Sequence, residues 1–158
     1  MFKKAESGFS LIEMILTACL LSLIAGMIGY GFQKLVPRYR LNGAVQCIVA
    51  DFQSARMKAI SQNCYFRIQL FPGCNYYFLE RENGTGSTRW PGVQEGILRS
   101  FNTPSPYYYP GVDLESSSNN PLFSPRGTVS GTTVIVKNSA GSRKITLSSL
   151  GRVKVLEG

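Results

Sequence analysis

The stretch Gly8-Phe9-Ser10-Leu11-Ile12-Glu13 and the apolar run behind it, which reaches Phe32, decide how the rest of the chain is read. Two lysines, Lys3 and Lys4, precede Gly8. Between Phe9 and Phe32 there is one charged residue, Glu13. A helix over that run measures roughly 36 Å, against a bilayer core of roughly 30 Å. It is therefore predicted to insert in a membrane. An acid inside such a run costs roughly 2.5–3.5 kcal/mol at mid-bilayer and less near the interface, so its presence points to a function and a partner.

Two other readings of this end fit less well. A secretory signal has an apolar region of 7–15 residues, shorter than this one. Leu16-Thr17-Ala18-Cys19 has the form of a lipoprotein cleavage site. Cleavage there would leave the apolar run Leu20 to Ile28 at the start of the mature chain and Glu13 without a role.

Behind residue 36 the pattern turns amphipathic. Pro37 is expected to kink or restart the helix. From Arg38 to Asn63, Leu41, Val45, Ile48, Phe52, Ala55 and Ala59 recur three or four residues apart, which makes one apolar stripe. Arg40, Asp51, Arg56 and Lys58 are read as lying off it. The stripe is expected to dock on a sheet.

After Asn63 the period changes to two. Phe66, Ile68 and Leu70 share one face of a strand, Pro72-Gly73-Cys74-Asn75 is a turn, and Tyr76 to Arg81 is the return strand. Ile97 to Phe101 is a short strand. Five prolines between Thr103 and Pro125 argue for an irregular surface segment, in which Tyr107-Tyr108-Tyr109 pack over a loop. Thr132–Lys137 and Arg143–Ser148 form a hairpin around a five-residue loop, and Arg152–Leu156 is the last strand. The expected fold class is α+β: a long N-terminal helix, half membrane-inserted and half amphipathic, packed on an antiparallel β domain of two small sheets. The expected boundaries are 1–8, 9–36, 37–63 and 64–158.

Composition excludes several functions. The chain has 158 residues and no histidine, so a histidine-based triad, base or metal site is ruled out. Scattered serines and carboxylates form no enzyme constellation, and no cofactor is expected. Asp113 and Glu115 alternate on a possible strand, a weak calcium motif. Of the four cysteines, Cys19 lies in the apolar run. Cys64 and Cys74 are the favoured disulfide in an oxidising compartment, with Cys47 as competitor.

The formal net charge is +8. From Arg126 onward there are six cations and one acid, Glu157. Val153 and Val155 face one side of the last strand, with Arg152 and Lys154 on the other. With Arg143 and Lys144 of the preceding strand, these residues are a candidate basic patch for phosphate contacts.

The motif G-F-S-L-I-E in its apolar context resembles a type IV prepilin leader. The resemblance implies cleavage after Gly8 by a prepilin peptidase on the cytoplasmic side and methylation of the new N-terminus, Phe9. It also implies a role for Glu13, neutralising the α-amino group of a neighbouring subunit in a filament. Phe123-Ser124-Pro125-Arg126-Gly127, a hairpin and the closing Leu150-Gly151-Arg152-Val153-Lys154-Val155 look like the C-terminal half of the GspH/FimT family. Those proteins are minor pseudopilins of type II secretion and minor pilins of type IV pili. The implied partners are other pilins, the peptidase and the inner membrane, with the C-terminal domain in the periplasm. Some pilus members bind DNA through a terminal G-R-x-R motif, matched here by Gly151, Arg152 and Lys154, with Lys for the second Arg and Leu156 where a Pro often follows.

Overall fold

The computed structural model describes residues 10–84, 90, 92–104 and 107–157, and for residues 27–31 the backbone only. Gly8 and Phe9 lie outside the described residues. The chain divides into two compact units, Met1–Val36 and Pro37–Gly158.

One helix, α1, spans Leu11–Ser61 and contains Pro37, which does not interrupt it. Glu13 in its first turn and Lys58 in its last complement the helix dipole. The end is set by Asn63, which adopts φ 51°. Asn63 N–H donates to Ile60 O and Cys64 N–H to Ala59 O, which satisfies the last carbonyls in a Schellman arrangement.

In the second unit the predicted stripe is the buried face. Leu41, Val45, Ile48, Phe52, Ala55 and Ala59 all join the core. They pack with Phe66, Ile68, Tyr77, Leu79, Phe123, Val134, Val136 and Ile145 from the strands. Among the described residues eight strands form two antiparallel sheets. β1 (Phe66–Phe71), β2 (Tyr76–Arg81), β3 (Val93–Ser100) and β5 (Leu122–Phe123) make the first, in the order β3-β2-β1-β5. β4 (Asp113–Ser117), β6 (Thr132–Asn138), β7 (Gly141–Leu147) and β8 (Val153–Glu157) make the second, in the order β4-β6-β7-β8.

Three expectations are corrected. The segment read as irregular contains β4 and the two-residue β5. Both sit where prolines are flanking rather than internal, so neither loses a ladder donor. The β6–β7 connection is shorter than the five residues expected: Asn138 pairs with Gly141, leaving Ser139 and Ala140 as the turn. Gly141 takes φ 139° there, and Asn138 Oδ1 accepts from Ala140 N–H.

The third correction concerns the cysteines. All four are free, so the Cys64–Cys74 disulfide is not formed. The two residues do not flank the hairpin. They stand at opposite ends of β1, a six-residue strand about 20 Å long, whereas a disulfide needs Cα atoms within about 7 Å.

The sheets are joined at Asn75, which follows the 3-10 turn Pro72–Cys74 with φ 54°. Its Oδ1 accepts from Leu114 N–H of β4 at 2.8 Å, and its Nδ2 donates to Asp113 at 2.7 Å. Its main-chain carbonyl accepts from Phe101 N–H. One side chain thereby takes up the outward N–H of Leu114 at the start of β4.

Candidate functional site

The first candidate region is the start of α1. Ser10 O accepts from the N–H groups of Glu13 and Met14, at 3.0 and 3.2 Å, which fixes the first turn. Around Glu13 the side chains are apolar and exposed, with Leu11 at 77% and Ile12 at 70%. Met14, Leu16, Leu20 and Leu23 continue this uncovered surface. Exposed apolar area on this scale marks an interaction surface. Among the described residues no helix is long and apolar enough to cross a membrane.

The second region is the basic end. β7 and β8 pair with Lys144 opposite Leu156, Thr146 opposite Lys154 and Ile145 opposite Val155. Opposed residues share a face, so Lys144 and Lys154 are diagonal neighbours on the outer face of the sheet. Both are exposed. Arg152 precedes β8 and is also exposed; its carbonyl accepts from Ser148 N–H. Arg143 is not part of this group. It is on the opposite face, where Nη2 meets Glu157 at 2.8 Å and Nη1 donates to Ser142 O. A one-residue step along a strand reverses the face, which is why consecutive cations separate.

The acids suggested for calcium are otherwise engaged. Asp113 accepts from Asn75, and Glu115 lies 3.8 Å from Lys137 Nζ. Among the described residues no cluster of three or more candidate ligands could hold a metal ion.

The sequence reading missed a buried polar cluster. Asp51, read as lying off the apolar stripe, is 5% exposed. Its carboxylate accepts from Tyr77 Oη at 2.7 Å and from Arg99 Nε and Nη2 at 3.0 and 3.1 Å. Cys47 Sγ is 3.9 Å from Asp51 and 3.8 Å from Tyr77 Oη. The Arg99 guanidinium lies 3.5 Å from the centre of the Tyr107 ring, a cation–π contact. Burial, and then the Asp51 charge, pushes the Tyr77 hydroxyl well above its ordinary pKa. The same two causes raise Cys47. The phenol is thus held protonated as a donor. A signal for this cluster was present: Asp51 follows Ile48 by three and precedes Ala55 by four, which is helical register with the buried face.

A third feature is a groove of about 280 Å³ beside β8, lined by Phe52, Gln53, Met57, Phe123, Leu147 and Val153. Arg56 closes one end. Its Nε donates to Gly127 O at 2.9 Å, and its guanidinium lies against Gly151. Gly151 has φ 78°, and a Cβ there would meet Arg56 at 2.8 Å.

Comparison with known proteins places this architecture. Residues 44–151 match the family described as Type II transport protein GspH. The chain is 26% identical over 156 residues to the pilin-like protein PilA1 of Thermus thermophilus, covering 94% of this chain and 97% of that one. The minor pseudopilin EpsH from the Type 2 Secretion System of Vibrio cholerae superposes with a TM-score of 0.58 at 12% identity, over 75% of this chain and 97% of EpsH. The type IV minor pilin FimU of Pseudomonas aeruginosa superposes with a TM-score of 0.54 at 17% identity, over 75% of this chain and 90% of FimU. At these identities the two structures establish the fold alone. A long helix packed on antiparallel sheets is common to them, and the family match covers more than half of the chain. The chain belongs to the GspH family of pilin-like proteins, whose members are pilin and pseudopilin subunits.

Proposed function

We propose that the protein is a minor pilin-like subunit, cleaved after Gly8 by a prepilin peptidase, methylated at Phe9 and held in the inner membrane by residues 9–36 until assembly. Its β domain then lies in the periplasm. Its work is structural rather than enzymatic. The observation that supports this reading is a carboxylate, Glu13, in the first turn of a helix whose neighbouring described side chains are apolar and exposed. Such a carboxylate is satisfied by the α-amino group of Phe9 on an adjacent subunit. In apolar surroundings the attraction strengthens, although desolvation offsets part of it. Only one stagger brings the two groups together, so the pair also sets register. Glu13→Ala is expected to leave cleavage after Gly8 intact and to reduce recovery of the subunit in sheared filaments. Normal incorporation of that variant would overturn the role of Glu13.

The exposed pair Lys144 and Lys154, with Arg152 nearby, favours a second reading, in which the subunit also binds DNA for uptake. Binding would be weak and would fall with salt. A gel shift at low salt tests it, with Arg152→Ala/Lys154→Ala as the comparison. A pseudopilin of a type II secretion system without a DNA role would show no shift. Genes for a pilus motor or for a secretion apparatus beside this one separate the two settings.

A further inference from the structure

We infer that the open edge of β8 is a docking site for an extended segment of another polypeptide, one that alternates apolar and acidic residues and joins the second sheet as a ninth strand of the domain.

The second sheet ends differently on its two sides. At the β4 border Asn75 takes up the Leu114 N–H, whereas among the described residues no strand pairs with the far edge of β8. An uncapped edge offers a row of unpaired main-chain donors and acceptors. Their direction follows from one hydrogen bond. Ser148 N–H donates to Arg152 O, and antiparallel bonding alternates along the strand. The main-chain groups of Lys154 and Leu156 therefore point at β7. Those of Val153, Val155 and Glu157 point away from it.

The layer between the sheet and α1 is also incomplete on this side. Val153 and Val155 lie on the helix-facing side, opposite the buried Leu147 and Ile145. Val155 is nonetheless 41% exposed, because among the described residues no strand flanks it on the side away from β7. Across the groove Met57 of α1 is 71% exposed. An added strand would place alternate side chains over Val153, Val155 and Met57. Those side chains must be apolar.

The intervening side chains would project from the outer face, beside Lys154 and near Lys144. Neither lysine has an ion-pair partner among the described residues. Opposite charges directly across a strand pair stabilise it, and like charges destabilise it. The outward position beside Lys154 is therefore acidic, while Leu156 holds the next outward place on β8. A second copy of β8 fails this requirement, since its own outer-face residues, Arg152, Lys154 and Leu156, include no acid. A nucleic acid satisfies the lysines but supplies neither main-chain partners for Val153, Val155 and Glu157 nor side chains for the groove. The inference does not depend on leader processing or on Glu13.

The test uses the full chain in detergent micelles and a fluorescein-labelled peptide of alternating valine and glutamate, followed by anisotropy. The peptide is expected to bind and to weaken with added salt. The same peptide N-methylated at alternate residues, and a valine–lysine peptide, are expected to bind at least about tenfold more weakly. Val155→Pro removes an outward N–H while leaving the bonds to β7, so it is expected to abolish binding with an unchanged circular dichroism spectrum. Lys154→Glu is expected to exchange the preference, taking the lysine peptide over the glutamate one, and decides the matter if the proline variant misfolds. No binding of the glutamate peptide to the unaltered chain, equal binding of the N-methylated peptide, or an unchanged preference in Lys154→Glu would each overturn the inference.

Discussion

Arg99 of β3 grips both carboxylate oxygens of Asp51 on α1, 48 residues earlier in the chain. The pair is largely buried, with the side chains 16% and 7% exposed. It fastens the helix to the first sheet at one register. Removing Asp51 leaves a buried guanidinium and the Tyr77 hydroxyl without their acceptor. Asp51→Ala is therefore expected to destabilise the domain by about 3–5 kcal/mol in urea unfolding. Asp51→Leu/Arg99→Met, which removes both charges, is expected to recover most of that loss. A double variant no more stable than Asp51→Ala would show that the pair does more than satisfy its own charges.

The same cluster sets a dependence on alkaline pH. The Tyr77 pKa is raised in the folded protein above its ordinary 10.0, and that of Cys47 above its ordinary 9.0. Below those values both groups are protonated in both states, and their contribution is fully present. As pH rises past 9.0 and then 10.0, the unfolded chain releases these protons and the native one retains them, so stability falls. Tyr77→Phe is expected to flatten the part of this loss that begins near 10.0. Urea midpoints across that range, for the two proteins side by side, measure it. An identical slope in both would contradict it.

Gly151→Ala tests the contact with Arg56. The backbone there has φ 78°, and the new Cβ would fall 2.8 Å from the guanidinium. The expected cost exceeds about 1 kcal/mol. Adding Arg56→Ala relieves the clash but not the dihedral, and it also removes the bond to Gly127 O. The double variant is therefore expected to be less destabilised than the sum of the two single ones, by thermal melting. Strict additivity would mean that the two residues do not meet.

The cysteines can be counted chemically. Denatured protein that has not been reduced is expected to take up four alkyl groups from iodoacetamide, by intact mass. Cys64→Ser and Cys74→Ser are expected to melt alike with and without reductant. A deficit of two alkyl groups would restore a disulfide.

Much of this architecture is legible in the order of the residues, because it rests on local periodicity. Leu41 through Ala59 repeat at helical spacing and are buried as that spacing requires. Phe66, Ile68 and Leu70 alternate and are buried. What local pattern cannot supply is pairing at long range. Asp51 reads as one more polar helix residue until Arg99 is brought to it. β4 and β5 are too short, and too close to prolines, to stand out from a loop. Arg143 and Lys144 look like one basic pair, yet the pleat sends them to opposite faces. Cys64 and Cys74 look close in a list of letters, while an extended strand keeps them apart. At the N-terminal end of the sequence the family resemblance rests on Gly8, Phe9 and Glu13, of which Glu13 alone is among the described residues.

Asn75 has a consequence for what this molecule does in company. By taking up the Leu114 N–H at one border of the second sheet, it leaves the β8 border as the freer of the two. Copies of the chain threaded border to border would have to give up the Asn75 bond to Leu114 at every junction. Two copies meeting β8 to β8 would stop at a pair, with no acid on that face to answer Lys154. A single amide at a turn thus weights the two borders unequally, and it leaves extension of the sheet to a strand of different sequence.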